Sequence, residues 1–510
     1  MSQSMTLASV VRENARSSPT RTAVVCGLTS LDHLQLAQRI DRLTGVFADL
    51  GVGSGDRIAW LGQNCHRWLE SLVAAGRLGA VLASLNWRLP AAELGGILED
   101  YEPRIVIWQK TDLEPLAETL RAAHRGPRWI CHDTAEDGGY ESALQRTEPY
   151  PHRGLEDANA PALLLSVADP SGGTNGSVLS QGNLLVPGLL MAQLQAIDSH
   201  SVHLASAPLF HIAALFGLIP TLQMRGTNVF VRRADATLIC EAIDLHKCTH
   251  GLLFAPTIRE IVEVNAGGRY NLKAFRSGID LPGWQAMVSA DTSPWGRHNG
   301  GYGQTETNMA VLAALTDGAS NTSGRVAPYA EVCIADADDR EVAAGEVGQI
   351  LVRGASVHQG YWRRPEIDRQ RFAGGWWHTR DLGTRNADGI VSFVGPMGRM
   401  IKAGAENIFG AEIERCLAQH PDVREAAIIG IPDETWVQSV KAIVVVDAQS
   451  AVTQDELIEH CRTRLASYKK PRSVVLRHEA LPRVGPAIDY KSLDAAYGGG
   501  NYPGEGTRSV

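Results

Sequence analysis

At 510 residues the chain has room for two to four domains with sizeable cores. Its 44% apolar and 20% charged content excludes a mainly disordered or fibrous protein. A net charge of −8 without a long basic run argues against a general nucleic-acid binder.

The opening stretch MSQSMTLASVVRENARSSPT lacks the apolar core of a signal peptide. The run SLVAAGRLGAVLASL is too short to cross a bilayer and carries Arg77. Cys26, Cys65, Cys131, Cys240, Cys248, Cys333, Cys416 and Cys461 form no CxxC pair, so their spacing suggests neither a zinc site nor a thioredoxin-type motif. Scattered cysteines in a chain of this size are expected to be buried thiols. A cytoplasmic protein with no membrane span is expected.

In chain order, ALLLSVA (162–168) predicts a buried strand and LLVPGLLMAQLQAI (184–197) a helix with Pro187 near its start. HLASAPL (203–209), TNVFV (227–231) and HGLLFAP (250–256) predict further strands, with EAIDLHKC (241–248) and IREIVEVN (258–265) as helices between them. This alternation predicts α/β architecture with largely parallel sheets. After about residue 320, EVCIAD, EVGQILVRG and GIVSFVG are strands punctuated by Gly and Asp turns, a small β subdomain over about 320–395. A compact α+β module follows over 398–494. Ile413, Cys416 and Leu417 share one helical face there, and Thr453 to Glu456 form a capping box. The Gly-rich segment 495–510 reads as a disordered tail.

NGGYGQTETN (299–308) is the most informative segment. Its glycines at 300, 301 and 303 permit close backbone approach to a ligand. Tyr302 offers a flat ring to a base, Thr305 and Thr307 offer hydroxyls to phosphate oxygens, and Glu306 offers a hard oxygen to Mg²⁺. Alone, the segment is a turn with polar decoration. GWWHTRDLG (375–383) places Asp381 after a tight loop, where a carboxylate could accept from ribose hydroxyls or simply stabilise a turn. PSGGTNGS (170–177) is a Gly/Ser/Thr loop between a predicted strand and helix. Such a loop can cradle an anion, although it is equally common as a linker.

The order of these segments is more telling than any one. With SGDRIAWLGQN (54–64), LNWRLPAAEL (85–94), APLFHIAAL (207–215), GYGQTET (301–307), GEVGQILVRG (345–354), GYWRRPE (360–366), HTRDLG (378–383), AGAENIFGAEIE (403–414), GIPDETW (430–436) and ASYKKPR (466–472), the chain resembles the adenylate-forming superfamily of acyl-CoA synthetases, adenylation domains and luciferases from about residue 5 to 494. LNWRL, GIPDETW and SYKKP look most like the acyl-CoA synthetase branch. The resemblance implies a large N-terminal domain (1–395) of two α/β subdomains plus the β subdomain, followed by a small mobile C-terminal domain. It implies two half-reactions in two domain poses: ATP joins a carboxylate as acyl-AMP, then a CoA or carrier thiol takes the acyl group. By position it assigns Tyr302 to adenine, Gly303 and Thr305 to the nucleotide, Asp381 to the ribose and Glu306 to Mg²⁺. Ser171, Gly172 and Thr174 fall to the phosphate loop, and His211, Gly301 and Met309 to the acyl pocket. His211 reads equally well as a core histidine.

Three cations of that pattern are absent. The phosphate-loop lysine aligns with Asn175 or with a deletion, the interdomain arginine with Pro396, and the C-terminal catalytic lysine with Ala487. Gly398 takes the hinge position, and the adenine loop is reduced to RSGIDLPGW (276–284). Losing one preorganised charge at a transferring phosphoryl group costs on the order of 2.7–4 kcal/mol, or 10²–10³ in rate. Three readings stand open. The chain is a divergent ATP-dependent acid–thiol ligase in which Arg399, Lys402 or Lys491 substitutes. It is a repurposed, ATP-independent enzyme on the same fold, forming an amide or N–N bond, condensing or isomerising. Or it is a non-catalytic binding or scaffold protein. The substrate expected is a small acyl or aromatic molecule, with a carrier protein as a further partner and no nucleic acid.

Overall fold

The computed structural model describes residues 5–151, 156–168, 174–316, 323–397, 400–404, 406–484, 487–500 and 502–503. In the first subdomain the strands Thr22–Cys26, Thr227–Phe230, Val202–Ala205 and His250–Gly251 run parallel, with Thr29–Asp32 antiparallel at the edge. In the second, Arg128–Cys131, Ile105–Trp108, Arg57–Leu61, Val81–Ser84 and Pro161–Ala168 run parallel, and Thr174–Ser180 folds back antiparallel on the last of them. Their short, unbroken apolar runs are buried on both faces, as parallel strands flanked by helices require. Helices His33–Asp49, His66–Arg77, Gln181–Leu194 and Leu215–Gln223 supply the shared layer, where Phe47, Trp68, Leu72 and Leu218 pack with Val24 and Trp60 in one core.

The third unit is an antiparallel sheet that begins earlier than 320. Strands Gly301–Gln304 and Asn308–Leu312 lead into Ser323–Val326, followed across the sheet by Val391–Pro396, Trp377–Arg385, Gly348–Gly354 and Ala330–Ala335. Tyr302, Ala310 and Val311 enter the same core as Val352 and Val391, which draws the motif segment into the sheet. The small domain pairs Val423–Asp433 with Val437–Val446, flanked by Ile401–Ala403 and Ser473–Arg477. Helices Gly410–Leu417 and Gln454–Arg462 cover one face, burying Ile413, Cys416, Leu417, Leu457 and Cys461, and the Thr453 capping box is formed.

Other expectations need correction. HGLLFAP is a strand only at His250–Gly251; Phe254 caps a helix, Ala255–Val264, that Pro256 starts readily. From Thr174 onward PSGGTNGS is strand, because its ladder with Pro161–Ala168 is continuous; Ser171 and Gly172 lie outside the described residues. The tail expected from 495 is packed where it is described. Helix Tyr490–Tyr497 crosses that boundary, and buried Tyr502 donates to Asp494 at 2.9 Å and accepts from the Gly430 amide at 2.7 Å. Among the described residues no helix is long and apolar enough to cross a membrane.

Candidate active site

The hairpin of Gly301–Gln304 and Asn308–Leu312 carries the central motif. A Cβ at Gly303 would lie 1.8 Å from the Asn308 carbonyl oxygen, and one at Gly301 would lie 2.0 Å from that of Val311. The glycines at 301 and 303 are thus needed for the hairpin's own closure. Thr305 and Glu306 sit at the turn, closed by the Thr307 amide on the Gln304 carbonyl at 3.2 Å. Thr305 is half-buried and Glu306 buried.

Tyr302 points into the sheet rather than outward. It is 5% exposed, stacks on Phe393 at 5.4 Å between ring centroids, and donates its hydroxyl to Asp381 Oδ2 at 2.9 Å. Burial raises its phenol well above the ordinary range, so it stays a donor. The expectation of a ring lying open to a base is corrected accordingly: strand alternation turns Tyr302 into the core. Asp381 also accepts from Gln304 Nε2 at 2.5 Å. Burial raises its carboxyl to about 6 against those two hydrogen bonds, and neighbouring Glu306 pushes the same way. Directly across the ladder from Asp381 stands Pro396.

Glu306 accepts from the Tyr361 hydroxyl at 2.5 Å, and its backbone carbonyl accepts from the His358 amide at 2.8 Å. His358, which the sequence does not flag, is 3% exposed and sets Nδ1 2.9 Å from Ser177 Oγ. Burial, helped by Arg371, lowers it to about 3, so it is neutral at ordinary pH. The segment 358–362 lies along strand Thr174–Ser180, with the Val178 amide on Gly360 and the Trp362 amide on Gly176. Glu306 and strand Thr174–Ser180 are thereby tied together. Asn175 is buried in that strand, opposite Val167.

His211 marks the other side. Its Nε2 lies 3.3 Å from Glu406 Oε1 on the small domain, and Arg88 Nη1 lies 3.6 Å from the same oxygen. Burial would raise Glu406, but His211, Arg88 and Lys402 outweigh it and leave the carboxyl below its ordinary range. Met309 packs beside Met191, Leu194 and Leu312. The adjoining apolar cavity, lined by Leu184, Met191, Leu215, Phe216 and Asn308 among others, measures only about 10 Å³ in this pose.

Thr174 opens onto a cleft of about 240 Å³ at the border of the two domains, lined also by Glu93, Asp100, Arg364 and Glu412. Arg364 is engaged by Asp100 at 2.9 Å, and Lys469 by Glu93 at 2.9 Å and Glu412 at 2.8 Å. The hairpin of Arg483–Val484 and Ala487–Ile488 stays with the small domain, as Leu481, Ile488 and Leu493 pack on Ala427 and Ile429. That is the sheet face opposite helix Gly410–Leu417, which carries Glu412. Lys491 is exposed on helix Tyr490–Tyr497, Lys402 donates to Asn407 Oδ1 at 2.7 Å, and Arg399 lies outside the described residues. Sequence inspection misses His358, Arg88 and Glu406 as partners because each acts through residues far along the chain.

Comparison with known proteins shows the family and the fold. Residues 11–362 match the AMP-binding enzyme family and residues 412–486 the AMP-binding enzyme C-terminal domain. A feruloyl-CoA synthase of Amycolatopsis sp. is 34% identical over 483 residues, covering 92% of this chain and 94% of its own. An indoleacetate–CoA ligase of Aromatoleum aromaticum is 29% identical over 497 residues, covering 94% and 95%. The solved structure of the amide bond synthetase McbA from Marinactinospora thermotolerans shares the fold with a TM-score of 0.80 at 21% identity, covering 97% of this chain and 100% of that one.

Proposed function

The chain belongs to the AMP-binding enzymes, in the acyl-CoA synthetase-like branch of the adenylate-forming superfamily, and from that premise we propose that it is an acid–thiol ligase-type enzyme for an acyl or aromatic carboxylic acid, stronger in acyl transfer than in ATP-driven activation. The contact between Glu406 and His211 carries this reading. It brings the paired strands Ile401–Ala403 and Glu406–Ile408 of the small domain to His211, while the hairpin bearing Ala487 packs on the far face of the small sheet. The family pattern links such a docked second pose to thiol attack.

The residues fit an adenylate better than a triphosphate. Asp381 supplies an acceptor for a ribose, and Glu306 an oxygen for Mg²⁺. Around Thr174, however, the cleft offers three carboxylates, and its neighbouring cations Arg364 and Lys469 are already paired. No activation step is therefore drawn through ATP. An adenylate, when bound, supplies an acyl group on a good leaving group. This chain's part is to hold it and admit the acceptor. Glu406 facing Nε2 favours a proton on that nitrogen of His211, which leaves Nδ1 as an acceptor.

Glu93, Asp100 and Glu412 outnumber their partners Arg364 and Lys469 by one charge, and that excess favours a second reading in which the acceptor is a cationic amine rather than a thiol. One assay serves both. Synthetic aromatic acyl-adenylates, the feruloyl and indoleacetyl mixed anhydrides with AMP first, are offered with CoA or with amines, and AMP release is followed. CoA-dependent release supports the first reading and amine-dependent release the second. No acceptor-dependent release across the panel would leave a binding protein. Eight free cysteines support a cytoplasmic setting.

A further inference from the structure

Away from the acyl site, Cys26 at the end of strand Thr22–Cys26 meets Cys65 and His66 at the start of helix His66–Arg77. The two sulfurs are 3.8 Å apart, and Cys65 Sγ is 3.6 Å from His66 Nδ1. One donor atom from each residue lies within 4.8 Å of the others. A tetrahedral zinc ion, with bonds of about 2.3 Å to sulfur and about 2.0–2.1 Å to nitrogen, sets edges of about 3.8 Å between sulfurs and about 3.5 Å between sulfur and nitrogen. The two spacings match those edges.

The surroundings suit a metal as well. Cys65 is 6% and His66 1% exposed, whereas Cys26 is half-buried and gives an entry path. His66 Nε2 is a buried nitrogen with no hydrogen-bond partner among the described residues, and it faces Glu70 Oε1 at 3.9 Å. Glu70 is itself held by Arg39 at 2.6 Å and by the Tyr140 hydroxyl at 2.7 Å. A carboxylate behind an imidazole is the usual outer partner of a metal-bound histidine. Arg39 and Arg67 are offset by Glu70 and Glu141, so a dication balances two thiolates. Arg67 Nη1, 3.6 Å from Cys65 Sγ, adds an N–H donor to the sulfur.

We propose that Cys26, Cys65 and His66 form a three-ligand site for a thiophilic divalent cation of the zinc type, with its fourth position open. Cys65 follows Asn64, whose side chain donates to the Ala205, Ala207 and Val231 carbonyls and accepts from the Leu209 amide. An ion there would stiffen the loop that leads to His211.

The test uses the full chain, reduced, treated with chelator and titrated with Co²⁺. The expected result is a thiolate-to-cobalt charge-transfer band saturating at one ion per chain, displaced by Zn²⁺ and abolished in Cys26→Ser and Cys65→Ser. Glu70→Gln is expected to weaken cobalt binding about 10–100-fold. Should buried substitutions prevent folding, alkylation of the wild type decides: Zn²⁺ should shield Cys26 and Cys65 and leave the half-buried Cys131 and Cys333 as reactive as before. No band at saturating cobalt, a band that survives in Cys26→Ser, or alkylation indifferent to Zn²⁺ overturns the proposal.

Discussion

At Asp381 burial and function pull in opposite directions. Burial raises the carboxyl from 3.8 to about 6, while the ribose contact we propose calls for the ionised acceptor. Between those two values the native state binds more protons than the unfolded chain. This group therefore makes stability fall as pH rises through the window from about 4 to about 6, and it adds no slope above it. Asp381→Asn keeps one acceptor for Tyr302 but removes the titration. Urea unfolding should show the wild type losing on the order of 3 kcal/mol relative to the variant across that window. A constant difference between the two proteins would refute the assignment. Acyl-adenylate affinity of the wild type should also weaken below pH 6, as measured by calorimetry, and should show no such inflection in the variant.

The hairpin at 301–312 shows what an element demands of its residues. Gly303→Ala places a methyl group against the Asn308 carbonyl, and neither backbone can retreat without breaking the ladder. The variant should lose about 1–3 kcal/mol by thermal or urea unfolding and bind adenylates more weakly through displacement of Glu306. Unchanged stability would mean that the hairpin is not paired as described. The same element marks how far the chain could be read in advance. The order of landmarks and the apolar runs at 57–61, 81–84 and 162–168 identify the fold class, because a buried parallel strand must be apolar along its length. GYGQTET was legible as a distinctive segment, yet not as a strand: Tyr302 turns inward only because Phe393 and Asp381 wait there, 91 and 79 residues on. His358 and Glu406 gain their meaning from Ser177 and His211 across separations of 181 and 195 residues, and spacing along a chain carries no trace of such encounters.

At the scale of the whole molecule, the docked pose rests on polar contacts and on Ala466 and Tyr468, which join the large-domain cluster of Leu94, Ile97 and Leu98. Lys469, 4% exposed, joins Glu93 of the large domain to Glu412 of the small one. Lys469→Ala leaves two carboxylates facing each other, and breaking a buried pair costs about 3–5 kcal/mol, less where the carboxylates keep some water. The variant should be cut faster by protease in the 396–401 linker and should transfer acyl groups more slowly, with both domain cores still folded. Linker cleavage at the wild-type rate would show that the pose does not depend on this bridge. The remaining question is electrostatic. With Asn175 in a buried strand, Pro396 beside Asp381 and Ala487 on the far hairpin, the charges expected to promote attack at the α-phosphorus are, in the proposed reading, missing. The decisive measurement is pyrophosphate release from ATP and an aromatic acid, set against acceptor-dependent consumption of the matching acyl-adenylate by the same preparation. Release slower than consumption by on the order of 10²–10³, and partly restored in Ala487→Lys, is the result expected. Release by the wild type as fast as consumption would contradict it.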